Sequence, residues 1–365
     1  MIDLPQCRIP KTELSTVHAY QLISGQGISS LRRIETTVRE LGPHEVRVRI
    51  RAVSLNYRDL MVAHGNYVPV SGKPVVPVSD GAGDVVAVGS AVTRFRTGDR
   101  VINTFFPAWL DGAPSAEKTT QTFGAGSDGV LAEEISVSET ALVTIPAHLD
   151  YAEAASIPCA AITAWNALFV EGSLKPGDSV LLLGTGGVSI WALQLAKAAG
   201  LRVIITSSSD EKLQRARVLG ADEVINYRTT PEWQEQVLKL TNGQGVNLVV
   251  EVGGEGTLTK SIAATAMGGT VAIVGGVTGF AGTPVDPLTL VGGAKRLVGI
   301  FVGSRTMLED VCRFVTVNQT RPVVGRTFPF EQAQDAYEYL EAGKHFGKVV
   351  INVIDSHPFT LNFGS

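Results

Sequence analysis

The chain has 365 residues, 44% of them hydrophobic and 18% charged, with a formal net charge of −4. That length accommodates two domains, and the acidic balance carries no basic footprint for nucleic acid. No apolar run approaches the ~20 residues that cross a bilayer and no charged-then-apolar leader opens the chain. Cys7, Cys159 and Cys312 are too scattered for a disulfide framework or a CxxC site, so a soluble chain of a reducing, cytoplasmic compartment is expected.

Residues up to about 155 read as strand-like and turn-rich. Glu45–Val53 alternates apolar with polar residues, and Gly83–Gly89 is a short apolar strand. From 156 to 303 strands alternate with helical runs. The strands are Val180–Leu183, Arg202–Thr206, Glu223–Asn226, Leu248–Val252, Thr270–Val274 and Leu297–Val302. Such alternation predicts an α/β fold with a doubly wound parallel sheet of Rossmann type. The last part, 304–365, carries a helix with Phe330, Ala333, Tyr337 and Leu340 on one face, then a strand, Lys348–Val353. The parallel-sheet domain is thus inserted into a mostly β domain made from 1–155 and 304–365.

The turn after Val180–Leu183 is Gly184-Thr185-Gly186-Gly187, and an amphipathic helix follows at once. Strand, glycine turn and helix in that order predict a dinucleotide site: backbone approaches the pyrophosphate and the helix N-terminus offers free N–H groups to its charge. Ser189 stands where the third glycine of GxGxxG is usual. At the end of the second strand, Thr206-Ser207-Ser208-Ser209 replaces the acid that would bind the ribose hydroxyls of NAD. Small hydroxyls leave room for a 2′-phosphate and Lys212 adds a point charge, which favours NADPH.

Several segments carry a resemblance to the medium-chain dehydrogenase/reductase superfamily, and within it to the zinc-free quinone oxidoreductase branch. They are Asn56–Leu60, Gly81–Gly83 with Val86–Gly89, Arg96–Val101, Ala154–Cys159 with Thr163-Ala164, Gly184–Ser189, Leu219–Tyr227 and Phe346–Val350. The resemblance implies a GroES-like catalytic domain built from both chain ends, an active site in the cleft beside the Rossmann domain, and a homodimer. Zinc alcohol dehydrogenases of the superfamily bind metal through a Cys, a His-Glu pair and a further Cys or Asp. Asn56, Ser79-Asp80 and Cys159 match those positions, and the lobe of a four-Cys structural site, Asn103–Ser127, has no cysteine. No metal is therefore expected.

Residue by residue, the resemblance implies cofactor contacts from Thr163, Gly184, Gly186, Gly187, Val188, Ser207, Ser208, Lys212, Tyr227, Gly253, Gly275, Val277, Phe301, Gly303 and Lys348. Asn56 and Tyr57 would line the pocket, and Tyr67, in a Gly-Asn-Tyr segment, matches the catalytic tyrosine of related enoyl-thioester reductases. Arg58 and Asp59 read as a structural pair, His64 as an exposed loop histidine, and Phe105, Phe106 and Trp109 as an aromatic wall or simple core. The function expected is NADPH-dependent, zinc-free hydride transfer to a small apolar electrophile, a quinone or α,β-unsaturated carbonyl. Aldehyde or alcohol oxidoreduction and non-catalytic NADPH binding are the competing readings.

Overall fold

Alternation along Glu45–Leu55 buries Val46, Val48 and Ile50 and turns Arg47 and Arg49 outward, so this strand has one core face and one solvated face. It is the centre of a seven-stranded sheet in the computed structural model, which describes residues 16–67, 72–279, 282 and 284–353. Cys7 lies outside the described residues. The sheet runs Val324–Pro329, Lys348–Asn352, Glu45–Leu55, Asp80–Val88, Arg100–Asn103, Leu142–Thr144, and Glu134–Ser138 also pairs with Glu45–Leu55. Two of its strands come from the C-terminal part of the chain. A small antiparallel sheet of Arg32–Thr37, Thr16–Ile23 and Pro74–Val75 flanks it.

The second sheet is parallel throughout. Its order is Glu223–Asn226, Arg202–Ser207, Ser179–Leu182, Val246–Glu251, Thr265–Ile273, Arg296–Gly299, which in chain order reads 3-2-1-4-5-6. The order reverses between Ser179–Leu182 and Val246–Glu251, and ligands of such sheets bind at the carboxyl ends on either side of that switch point. The central strands are apolar on both faces because helices cover both.

The strand expected at Leu297–Val302 ends at Gly299. Val302 adopts a left-handed backbone, φ 52°, which no strand continues, and Asn166 Nδ2 donates to its carbonyl at 2.9 Å to hold the turn. Conversely, Thr270–Val274 begins earlier, at Thr265, across a register shift. The sheets are joined by direct bonds. Gly347 N–H donates to Thr185 O at 3.0 Å, and the Trp191 indole donates to Ser156 O at 3.1 Å.

Candidate active site

Sheet register assembles the centre. Val349 lies opposite Leu55, and Ser54 lies opposite both Val350 and Asp80. The ends of three adjacent strands therefore bring Lys348, Asn56, Ser79 and Asp80 together. Lys348 Nζ donates to Leu55 O at 2.7 Å and to Asn56 Oδ1. Asn56 Nδ2 reaches Ser79 Oγ at 3.4 Å, and Ser79 Oγ donates to Asp80 Oδ1 at 2.6 Å. Cys159 sits in a π-helical turn, Ile157–Ala161, and its N–H donates to Asp80 Oδ2 at 3.0 Å. Burial raises the Asp80 carboxyl, and the charge of Lys348 opposes that rise. Burial also pushes the Cys159 thiol far above its ordinary range, which leaves it a poor nucleophile.

These are the positions matched to zinc ligands, and the donor set does not fit the metal. An amide and a hydroxyl replace Cys and His, and the one carboxylate is already committed to a hydroxyl and a backbone N–H. Among the described residues no group of three or more His, Cys, Asp or Glu could hold a metal ion.

The helix Tyr57–Ala63 starts at Asn56, whose N–H donates to the Asp59 carboxylate at 2.7 Å. Burial raises the Asp59 carboxyl to about 6, against the opposing charge of Arg58. Arg58 and Asp59 do pair, at 3.8 Å, but Arg58 does more. Its guanidinium lies over the rings of Tyr67, at 4.4 Å, and Phe105, at 4.7 Å, and it donates to Phe123 O and Thr122 Oγ1. Burial raises the Tyr67 hydroxyl above its usual range, so it keeps its proton, while the neighbouring Arg58 charge pulls the other way. The Arg58–Tyr67 stack joins residues nine positions apart, and no local pattern signals it. His64 is exposed and pairs with Glu341 at 2.6 Å.

Phe105, Phe106 and Trp109 are fully buried, so they are core and not an open wall. Phe106 instead backs Phe301, ring centroids 4.9 Å apart, and Phe301 remains 47% exposed. Tyr57 and Val277 are likewise exposed, at 45% and 54%.

Several of the expected cofactor residues, among them Gly184, Gly253 and Gly275, lie just past the carboxyl ends of the parallel strands. Gly184 has φ 72°, and the buried Thr206 hydroxyl accepts its N–H at 3.3 Å. Gly186 precedes the helix Gly187–Ala198, whose first turn has no side-chain cap, so its N–H groups are available to an anion. Ser189 donates to Leu183 O at 2.7 Å, which closes helix onto strand as the third glycine would. A Cβ on Gly187 would come 2.7 Å from Lys348 Cδ, so this glycine makes room for the lysine stem. The lysine's head points to Leu55 O and Asn56 Oδ1.

Ser207 is buried, Ser208 is partly exposed, and the Tyr227 N–H donates to Ser207 O at 3.1 Å. Ser209 caps the helix Asp210–Val218, and Asn226 Nδ2 donates to the Asp210 carboxylate at 2.7 Å. Lys212 Nζ donates to Gly343 O at 2.9 Å, across to the C-terminal segment. A Cβ on Gly303 would strike Ile162, beside the buried Thr163. Gly253 and Val277 lie on adjoining turns, since Val277 N–H donates to Val252 O and Thr278 N–H to Gly253 O. Gly275 N–H donates to Glu251 O at 3.3 Å.

Two contributors were not foreseen from sequence. Glu251, fully buried, accepts from the N–H groups of Gly253 and Gly254 and from the hydroxyls of Thr257 and Ser261, which fixes the 253–261 turn. His345 lies over the glycine turn, its Nε2 3.7 Å from where a Gly186 Cβ would stand, and its buried Nδ1 has no partner. Burial, with Lys212 and Lys348 nearby, lowers its pKa to about 4. An uncapped helix start, a glycine turn and an orphaned imidazole nitrogen near Lys212 fit a dinucleotide's phosphates.

Comparison with known proteins matches both parts of this fold. Residues 187–316 match the family described as zinc-binding dehydrogenase, and residues 42–147 the alcohol dehydrogenase GroES-like domain. A zinc-type alcohol dehydrogenase-like protein of Schizosaccharomyces pombe is 45% identical over 334 residues, 90% of this chain and 96% of the relative. The crystal structure of a putative alcohol dehydrogenase from Sinorhizobium meliloti is 41% identical with a TM-score of 0.85, covering 93% of this chain and 99% of that one. A 2-octenoyl-CoA carboxylase reductase, in complex with NADP and 2-octenoyl-CoA, is 26% identical with a TM-score of 0.82, covering 92% of this chain and 87% of that one.

Proposed function

The chain belongs to the medium-chain dehydrogenase/reductase superfamily, and from that premise we propose that this oxidoreductase reduces quinones or α,β-unsaturated carbonyls with NADPH and without zinc. The observation that carries the reading is the hydrogen-bonded set of Lys348, Asn56, Ser79 and Asp80 at the positions matched to the metal ligands. When bound, NADPH supplies the hydride. A simple ketone needs its oxygen strongly polarised, the service a Lewis acid performs. A conjugated acceptor spreads the incoming charge onto an oxygen that neutral donors hold.

The chain's own residues suit that task. Gly184, Gly186, Gly187 and Val188 hold the pyrophosphate side, with Ser207, Ser208, Lys212 and Tyr227 around the 2′-phosphate. Thr163, Gly253, Gly275, Val277, Phe301 and Gly303 border the nicotinamide half. Tyr57, Val277 and Phe301 offer exposed apolar surface to a flat, weakly polar substrate. Tyr67, still protonated at neutral pH, donates the proton that completes reduction of an enoyl substrate, and Arg58 over its ring stabilises the phenolate left behind. The proposed assembly is a homodimer through the sheet edge at Arg296–Gly299.

The names of the relatives favour a second reading, aldehyde or alcohol oxidoreduction. One experiment separates the two: protein purified without chelator is analysed for metal, then assayed with NADPH against a quinone, an enone, an aldehyde and a saturated ketone. Less than stoichiometric zinc with turnover confined to the conjugated acceptors supports the proposal. About one zinc per chain with chelator-sensitive turnover of the saturated carbonyls overturns it, and tight NADPH binding with no turnover points to a non-catalytic protein.

A further inference from the structure

Lys348 is 3% exposed, and a buried ammonium has to be matched by acceptors and a counter-charge. The structure supplies both. A lysine can only donate, so Asn56 must present its oxygen to Lys348 and its NH2 to Ser79. Ser79 passes its proton donor on to Asp80, and the Cys159 N–H meets the other Asp80 oxygen. Along Lys348, Asn56, Ser79 and Asp80 each donor points from the ammonium toward the carboxylate, and a further Lys348 donor goes to Leu55 O. The stem reaches this point over Gly187, where any side chain would block it, so the turn that serves the cofactor also admits the lysine.

We propose that the Lys348 ammonium is the built-in cation of this reaction centre, standing among the residues that match the zinc ligands of metal-dependent relatives. It acts as a positioning residue: it fixes which way the Asn56 carboxamide faces and sets a positive charge beside the pocket. A divalent ion entering the set would have to displace that charge and break the bonds to Asn56. The inference rests on the metal-free reading above, but it concerns the lysine's role and not the acceptor class.

The test compares Lys348→Met, Lys348→Arg and the double variant Lys348→Met/Asp80→Asn, measuring thermal melting, NADPH dissociation constant, and kcat and KM. Turnover is followed with whichever acceptor the wild type reduces fastest, so a wrong acceptor class sinks the proposed function and leaves this comparison intact. Lys348→Met should lower kcat about tenfold or more while NADPH affinity stays within about threefold. Lys348→Arg, which keeps the charge, should recover part of kcat. The double variant removes the unpaired carboxylate, so it should melt near wild type yet remain slow, and it carries the test if Lys348→Met fails to fold. A rise in the NADPH dissociation constant at unchanged kcat would make Lys348 a phosphate contact and overturn the proposal. Full recovery of kcat in the double variant would overturn it too, because charge balance alone would then explain the lysine.

Discussion

Replacing Lys212 with alanine should erase most of the preference for NADPH over NADH. In the structure Lys212 Nζ donates to Gly343 O at 2.9 Å. An ammonium has three donors, so this bond leaves two for a 2′-phosphate. Loss of the Gly343 bond costs folding stability, about 1 kcal/mol, and leaves the ratio of the two cofactor affinities unchanged. Loss of a charge-assisted phosphate contact penalises NADPH alone, by about 1.5–3 kcal/mol, or roughly 10- to 150-fold. Asp210, the nearby acid, accepts from Asn226 at 2.7 Å, and it should repel the phosphate more once Lys212 no longer offsets it. The assay is fluorescence titration of wild type and Lys212→Ala with each cofactor at one fixed ionic strength, and the quantity that matters is the ratio of dissociation constants. An unchanged ratio, with both cofactors weakened equally, would reduce Lys212 to a bridge between the helix and the C-terminal segment.

Tyr67→Phe should slow enoyl substrates about 10²- to 10⁴-fold and quinones much less, because reduced quinone oxygens take protons from water; steady-state rates on both classes decide it. Stability should fall with acidity through His345. Its folded pKa, about 4, lies below the unfolded 6.5, so its contribution is full above pH 6.5 and is lost progressively as pH drops toward 4. The most this can amount to is ~3 kcal/mol, and His345→Gln should flatten a plot of melting temperature against pH over that window. Gly187→Ala should depress melting temperature and kcat together, since its Cβ would lie 2.7 Å from Lys348 Cδ. Its melting curve and steady-state rates check this.

The two sheets were legible because their signals are local. Alternation in Glu45–Val53 and the strand–glycine–helix passage at Val180–Leu193 each lie within one short window, and both appear as expected. The end of the last parallel strand was not legible, since nothing in Leu297–Val302 announces that Val302 takes a left-handed turn held by Asn166. Gly184, Gly253 and Gly275 could be placed near one another from sequence because each follows a parallel strand, and the fold brings those strand ends together. What escaped was pairing over long sequence distance: Lys348 with Asn56, His345 over Gly186, and Phe106 behind Phe301. The reason for a residue could also differ from the expected one. Gly187 looked like a concession to pyrophosphate, yet the atoms it makes room for belong to a lysine 161 positions later.

The central claim is conjugate reduction, and the destination of the hydride tests it most directly. NADPH deuterated at the transferable C4 position would be supplied with an enone, and the product analysed by mass spectrometry and NMR. Deuterium on the β-carbon, with the carbonyl intact, is the predicted result. Deuterium on the carbonyl carbon, giving an allylic alcohol, would contradict the account and return the chain to the alcohol dehydrogenases it resembles.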